Sequence, residues 1–220
     1  MATKKKRKRK RFTKRQRRFQ RYLKMGLLML VVILFIIYFL KFISENTPIK
    51  KTGDPEVTVD LLTINPFSRP GIERTIINGI VIHYVANPGT TAKQNRDYFE
   101  SLKDSQERKA SSHYIIGIDG EIIQCIPLNE IAYAATTRNP DTISIEVCHP
   151  NEDGKFSKEA YYSVVQLTAW LCGKYNIKEE NVIRHYDVSG KNCPKYYVEH
   201  EDEWITLKKD VSEYIEEYGE

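Results

Sequence analysis

The sequence predicts an α/β domain with a mixed central β-sheet and packed helices, preceded by one transmembrane helix. Three observations lead to this fold class. Residues 25–40 contain no charged residue, and a strongly basic segment precedes them. Beyond residue 75, short β-branched runs alternate with longer segments of helical periodicity. Strands and helices mixed in this way are typical of helices packed on one sheet.

The apolar segment 25–43 is predicted to be an uncleaved transmembrane signal anchor. It is close to the length that a bilayer core requires, and Lys24 and Lys41 flank or interrupt it where they can reach the membrane faces. A buried core helix would normally show a polar stripe, which this segment lacks. A cleaved signal peptide is the stronger alternative. The following residues, KFISENTPIK, however, contain no small-x-small cleavage pattern.

The charge distribution predicts the orientation of this anchor. Residues 1–24 carry 14 of the 34 Lys and Arg residues and no acidic residue, which leaves 20 basic against 29 acidic residues elsewhere, a net charge of −9. By the positive-inside rule, the basic N-terminus is cytoplasmic and the rest is extracytoplasmic in a single-pass protein. We therefore expect residues 1–43 to contact membrane lipids. Nucleic acid is excluded as a partner because the exported part is acidic.

The region between the anchor and the domain is predicted to be a linker. Residues 44–70 contain four prolines and little periodicity, with one short ordered piece around Val57 to Ile64. The sequence thus divides into a basic cytoplasmic tail (1–24), the anchor (25–43), an extracytoplasmic linker (44–70) and a domain over residues 71–220.

Within this domain, each element has a local signal. An Asp-Gly pair at 119–120 separates two apolar runs, which indicates a hairpin. Ser157 precedes a segment of helical periodicity and can cap it. The expected elements are a strand from Ile80 to Val85, a helix from Thr90 or Thr91 to Leu102, the hairpin over 113–126, a strand from Thr142 to Cys148, a helix over 158–175, a strand at Val182 and Ile183, and a helix from Asp202 to Tyr218.

Four cysteines are too few for a disulfide scaffold in a chain of 220 residues. Cys193 lies in a metal-like context. Cys125, Cys148 and Cys172 are expected to be small buried side chains, although one disulfide among them stays open.

Two histidines and this cysteine are candidate metal ligands. His83 ends a predicted strand, and Cys193 follows His185 after a short loop that contains Gly190. Two imidazoles and a thiolate leave the fourth position of a tetrahedral zinc ion open, as in catalytic zinc sites. The spacing alone is equally compatible with a surface histidine and a buried cysteine.

The surrounding motifs narrow this choice. The sequence resembles the zinc-dependent N-acetylmuramoyl-L-alanine amidases, which include phage endolysins and the related peptidoglycan recognition proteins. The matching segments, in the family's order, are IVIHYVA at 80–86, SSHYIIGIDGEIIQCIPLNEIAYAA at 111–135, TISIEVC at 142–148 and RHYDVSGKNCP at 184–194. The resemblance implies a peptidoglycan-recognition-protein-like domain that binds Zn²⁺ through His83, His185 and Cys193.

The resemblance also implies a reaction. It identifies Glu146 as the catalytic carboxylate and Lys191 as the residue that assists the transition state, roles that suit general acid–base and oxyanion chemistry. Some family members have a tyrosine where this chain has Ser112, which moves the role of base to Glu146. We assign Ser112, His113 and His149 to the substrate groove rather than to the metal. For His113 the two alternatives are a position in the core and a position in the pocket wall.

The resulting expectation is a monomeric, membrane-anchored amidase that cleaves bacterial peptidoglycan between N-acetylmuramic acid and L-alanine. The alternative is a peptidoglycan receptor of the same fold without hydrolytic activity. Because the predicted ligands and Lys191 are all present, hydrolysis is favoured.

The predicted topology can be tested with a reporter fused after Glu220. The fusion should be active only if the reporter functions outside the cytoplasm, and the protein in the membrane fraction should retain its basic N-terminus. A soluble form that begins near residue 45 would show instead that the apolar segment is a cleaved signal peptide.

Overall fold

The computed structural model describes residues 13–220, which form two units, one ending at Thr47 and one from Pro48 to Glu220. The first unit is a single helix, α1, which Thr13 caps through a capping box with Gln16. Its segment Lys14–Ile43 is long and apolar enough to cross a bilayer, with a mean hydropathy of 2.8 in its most apolar window. Much of the predicted cytoplasmic tail, residues 1–12, lies outside the described residues.

The second unit contains one six-stranded sheet with helices packed on it, which confirms the predicted fold class. The strands are β1 Thr58–Val59, β2 Gly79–Tyr84, β3 Tyr114–Ile116, β4 Ile122–Gln124, β5 Thr142–Val147 and β6 Val182–Arg184. The α-helices are α1 Lys14–Asn46, α2 Ala92–Ser105, α3 Lys158–Tyr175, α4 His185–Ser189, α5 Lys195–Glu199 and α6 Glu201–Tyr218. Two 3₁₀ turns, Thr136–Arg138 and Glu179–Asn181, lie between them.

The sheet is mixed and has the strand order β1-β4-β3-β5-β2-β6. Only β3 and β4 pair antiparallel, as the Asp-Gly hairpin predicts, and the other neighbours are parallel. Central strand β2 is therefore flanked by parallel strands on both sides. Such a strand is buried on both faces, which explains why the run from Ile80 to Ile82 is continuously apolar.

The predicted capping residues mark where α2 and α3 begin. Ser157 caps α3, which then runs over the 18 predicted residues, and Thr91 caps α2 through a capping box with Gln94. Helices α3 and α6 pack with one face of the sheet in the larger core cluster, whereas α2 covers the opposite face in a smaller cluster. Cys125, Cys148 and Cys172 are buried, as predicted.

The compact unit begins earlier than the sequence predicts. Residues 48–70 pack on the domain instead of forming a free linker: Leu62 is 1% exposed, and Arg69 forms a bidentate ion pair with Glu130. Strand β1, within the predicted ordered piece, adds to the sheet edge beside β4. The prolines here interrupt helix and strand but do not prevent burial of apolar side chains.

Leu62→Ala should lower the free energy of unfolding by about 2–4 kcal/mol, because it removes a fully buried leucine side chain. Ile64, which is 63% exposed, provides the control, and Ile64→Ala should change stability by less than about 0.5 kcal/mol. Chemical denaturation of both variants measures the difference. Equal stability would mean that residues 44–70 are a free linker after all.

Candidate metal centre and pocket

Three candidate ligands meet at the carboxyl edge of the sheet. His83 is the penultimate residue of β2, and His185 follows directly after the end of the neighbouring strand β6. A turn through Gly190, whose φ is +75°, returns the chain so that Cys193 reaches the same point. Metal-binding atoms of the three side chains lie within 4.8 Å of one another, and all three residues are buried.

The geometry of this group fits a tetrahedral metal ion. Cys193 Sγ lies 3.8 Å from His83 Nδ1, close to the roughly 3.6 Å that sulfur and nitrogen ligands span on a tetrahedral zinc ion. The imidazole rings of His83 and His185 are 4.7 Å apart in an edge-to-face arrangement. His185 Nδ1 is buried and has no hydrogen-bond partner within residues 13–220, which is unfavourable unless a ligand satisfies it. His83 faces Cys193 through Nδ1, so its unpaired Nε2 lies on the other side of the ring.

The electrostatics keep the three candidate ligands uncharged in the absence of a metal ion. Burial lowers the pKa of His83 well below its usual value, and the neighbouring His185 and Lys191 lower it further. Burial likewise lowers the pKa of His185, so both imidazoles are neutral and available as ligands. Burial raises the pKa of the Cys193 thiol to about 12, so it becomes a thiolate only when a metal charge compensates.

Glu146 is the acidic group nearest to these ligands. The parallel register of β2 and β5 sets it opposite His83, with Glu146 Oε1 4.0 Å from His83 Nδ1. Burial raises the pKa of this carboxyl to about 8, whereas the positive charge of Lys191 acts in the opposite direction. A carboxyl group with this pKa can both accept and donate a proton near neutral pH.

An open pocket of about 460 Å³ lies over this edge of the sheet, and His83, Glu146, His185 and Lys191 all line it. The structure thus brings together four of the five predicted metal and catalytic residues at the pocket surface, with buried Cys193 directly beneath. Their positions come from three separate parts of the chain.

Two predicted groove residues lie elsewhere. Ser112 and His113 are fully buried. The Ser112 hydroxyl lies within bonding distance of the Tyr114 and Ser144 carbonyl oxygens. Both ring nitrogens of His113 bond to the main chain, Nδ1 accepting from the Ser144 N–H and Nε2 bonding the Glu130 carbonyl. This placement corrects the assignment of both residues to substrate binding, since they join neighbouring chain segments in the core. For His113 the core position, one of the two expected alternatives, is the one observed.

His149 is also a buried residue behind the pocket. Its ring stacks on that of Tyr84 at 5.1 Å, and its Nδ1 lies 2.7 Å from the Asn151 carbonyl oxygen. Tyr84 itself lines the pocket. His149 is therefore placed to support a wall residue and does not itself face the pocket.

The sequence motifs missed the far wall of the pocket. Arg108 and Lys109 come from the loop between α2 and β3, and Tyr98 and Tyr133 add aromatic surface. With Lys191, the pocket holds three basic side chains against one acidic side chain, although the surrounding unit is acidic. In the sequence, the basic pair Arg108 and Lys109, which lies just upstream of the 111–135 motif, is the signal for this part of the pocket wall.

The fold and pocket define an α/β domain with a candidate metal centre at the carboxyl edge of its sheet. Residues 73–196 match the family model described as N-acetylmuramoyl-L-alanine amidase. Because this match spans more than half of the chain, the protein belongs to the N-acetylmuramoyl-L-alanine amidase family.

Individual relatives agree with this assignment. The chain is 34% identical over 169 residues to the N-acetylmuramoyl-L-alanine amidase CwlL of Bacillus licheniformis, an alignment that covers 71% of this chain and 46% of CwlL. The chain thus spans about half the length of the curated relatives it matches. The solved catalytic domain of XlyA superimposes with a TM-score of 0.60 at 28% identity, over 71% of this chain and 99% of that domain. PlyL gives a TM-score of 0.61 at 25% identity, over 71% and 97%.

Proposed function

We propose that this protein is a membrane-anchored, zinc-dependent N-acetylmuramoyl-L-alanine amidase acting on peptidoglycan. Water is added across the amide bond between the lactyl group of N-acetylmuramic acid and L-alanine, which yields a lactyl carboxyl group and a free alanine amine. The observation that carries the proposal is the meeting of His83, His185 and Cys193 with Glu146 and Lys191 around one open pocket.

His83, His185 and Cys193 would hold the metal. Two neutral imidazoles and one thiol are a donor set that zinc accepts, and three protein ligands leave a position for water or substrate. When bound, zinc supplies Lewis acidity that activates water and polarises the scissile carbonyl group. The buried His185 Nδ1, which has no partner among the described residues, supports this assignment.

Glu146 and Lys191 would move the proton and stabilise charge. Glu146 Oε1 faces the ligand group from the adjacent strand, so this carboxylate can accept the proton of the attacking water. The same carboxyl group can then protonate the leaving nitrogen atom of alanine. Lys191 lines the pocket on the same side, where its ammonium group can stabilise the negative charge that develops on the carbonyl oxygen.

The charge of the pocket suits the stem peptide. Peptide stems carry free carboxylates, and Arg108 and Lys109 line the same pocket. Basic side chains in a cleft attract anionic ligands and can orient them. We assign these two residues to the peptide part of the substrate.

The anchor completes the proposal. Helix α1 contains an apolar segment that is exposed throughout, as a bilayer-embedded helix would be. With basic residues preceding it, the N-terminus would be cytoplasmic and the amidase domain would face the cell wall. A peptidoglycan receptor on the same fold is the second candidate, since binding needs the pocket but not the proton transfer.

Purified protein should contain about one zinc ion per chain, and His185→Ala or Cys193→Ala should abolish tight zinc binding. Because the three ligands come from distant parts of the chain, chelation should also lower the thermal midpoint of wild-type protein. His200→Ala, at an exposed histidine, is the control and should retain full zinc content. Full zinc in both ligand variants, measured by elemental analysis, would refute the ligand assignment.

The Glu146→Gln substitution distinguishes the amidase hypothesis from the receptor hypothesis. The amide preserves shape but cannot accept the proton, so kcat should fall by about 10²–10⁴-fold while zinc content and peptidoglycan binding persist. Lys191→Ala should lower kcat by about 10²-fold. Glu159→Gln, at an exposed carboxylate, should change nothing.

Mass analysis of released stem peptides measures these rates. A wild-type protein that binds peptidoglycan with zinc present but releases no stem peptide would favour the receptor.

A further inference from the structure

The compact unit begins with a segment that is bound to its surface, which we call the strap, residues 48–57. The Ile49 N–H donates to Asn176 Oδ1 at 3.0 Å. Lys51 and Glu220 exchange two main-chain hydrogen bonds, from the Lys51 N–H to the Glu220 carbonyl at 3.1 Å and from the Glu220 N–H to the Lys51 carbonyl at 3.0 Å. The strap therefore joins the end of α3 to the C-terminus.

Close packing on α3 supports these bonds. A Cβ atom at Gly173 would lie 2.5 Å from the Lys50 carbonyl oxygen and 2.9 Å from Lys51 Cα, so only glycine permits this approach. The Trp170 indole N–H donates to Asp54 at 2.5 Å, and Thr52 is 8% exposed. A glycine inside a helix is unfavourable by itself, and the strap contact explains why this one is accommodated.

The strap lies at the end of the unit opposite the pocket. Asn176 follows α3 and shortly precedes β6, so it lies near the amino ends of parallel strands β2, β5 and β6. His83 and Glu146 lie near the carboxyl ends of those strands. The chain therefore enters this unit at the edge of the sheet remote from the ligand group.

Docking of the strap shortens the connection to the apolar segment. Ile49 follows Ile43 by six positions, and the chain between them spans at most about 20 Å when fully extended. A free strap up to β1 at Thr58 would raise this limit to about 50 Å. A domain of this length is roughly 40 Å across, from a radius of gyration of about 16 Å. With the strap docked, the pocket can therefore lie no more than about 60 Å from the end of the apolar segment.

We propose that the strap restricts this amidase to membrane-proximal peptidoglycan, meaning muramoyl peptides within about 60 Å of the bilayer. Lipid-linked and newly polymerised material meets this limit, whereas distant wall layers do not. The inference rests on the proposed function and anchor. It adds that substrate choice depends on distance from the membrane as well as on the chemistry of the bond.

A distance assay on proteoliposomes tests the proposal. Full-length protein is reconstituted with muramoyl peptides that are attached to lipid through oligoproline spacers, which extend by about 3.1 Å per residue. Spacers of about 10 and 25 prolines extend to about 30 and 78 Å from the bilayer. The longer spacer lies beyond the limit of about 60 Å for a docked strap but within the limit of about 90 Å for a free strap. Wild-type protein should cleave the short-spacer substrate about 10-fold faster, because a tether that cannot span the sites gives almost no effective concentration.

Three variants test whether the strap causes the difference in cleavage rate between the short-spacer and long-spacer substrates. A flexible insertion of about 40 residues between Thr47 and Pro48 should bring the ratio close to one. Gly173→Ala should lower the ratio by displacing the strap, and hydrogen exchange at the Lys51 and Glu220 amides should become faster. Gly53→Ala is the matched control within the strap, since its added Cβ meets no atom within 4 Å, and both ratio and exchange should match wild type.

Detergent-solubilised protein distinguishes the two proposals. It should cleave both substrates equally fast, because no membrane then limits the distance. Equal rates on both spacers in proteoliposomes would overturn the distance limit while leaving the amidase intact. An unchanged ratio in Gly173→Ala with faster exchange would overturn the role of the strap. No cleavage in detergent with zinc present would overturn the proposed function itself.

Discussion

The parallel pairing of β2 with β5 and β6 is the constraint on which the site depends. Parallel strands end at the same edge of a sheet, so the three strands deliver His83, Glu146 and His185 to one place although they are far apart in the chain. A register shift by one residue would turn His83 to the other face of the sheet. The close packing of Ile80, Val81 and Ile82 on both faces opposes such a shift, because each side chain would lose its fitted contacts. Core packing and site geometry are therefore specified by the same pairing.

The segment after β6 depends on a second fixed point. Arg184, the last residue of β6, is 6% exposed and binds Asp187, Glu201 and the Tyr197 carbonyl. These contacts join α4, α5 and α6 around the loop that carries the candidate ligand Cys193. Since an unpaired buried guanidinium is costly, each acceptor is held in place by the need to satisfy it. Arg184 directly precedes the predicted ligand His185, and its role is to hold the surrounding helices in place rather than to take part in the reaction.

Local signals in the sequence predict the fold, whereas the candidate ligands follow only from the resemblance to a family. The Ser157 cap, the Asp-Gly hairpin and the apolar run of β2 each act over a few residues, and family motifs supplied the ligands. The burial of polar residues by distant parts of the chain could not be predicted from such local signals. Ser112 and His113 are polar residues beside a family motif, and only the folded chain shows that they bond the main chain inside the core. The strap was predicted as a linker because its prolines resemble those of a free segment.

The strap and the pocket lie at opposite edges of the same sheet. The edge of the sheet remote from the ligand group receives the chain from the apolar helix, and the opposite edge carries a basic pocket in an otherwise acidic unit. Acidic surfaces repel anionic polymers in general, whereas Arg108, Lys109 and Lys191 attract carboxylates at one place. Gly173, which lies far from that pocket, decides how closely the strap can pack on α3. The lack of a side chain at Gly173 can therefore influence which substrate the pocket reaches without altering the reaction itself.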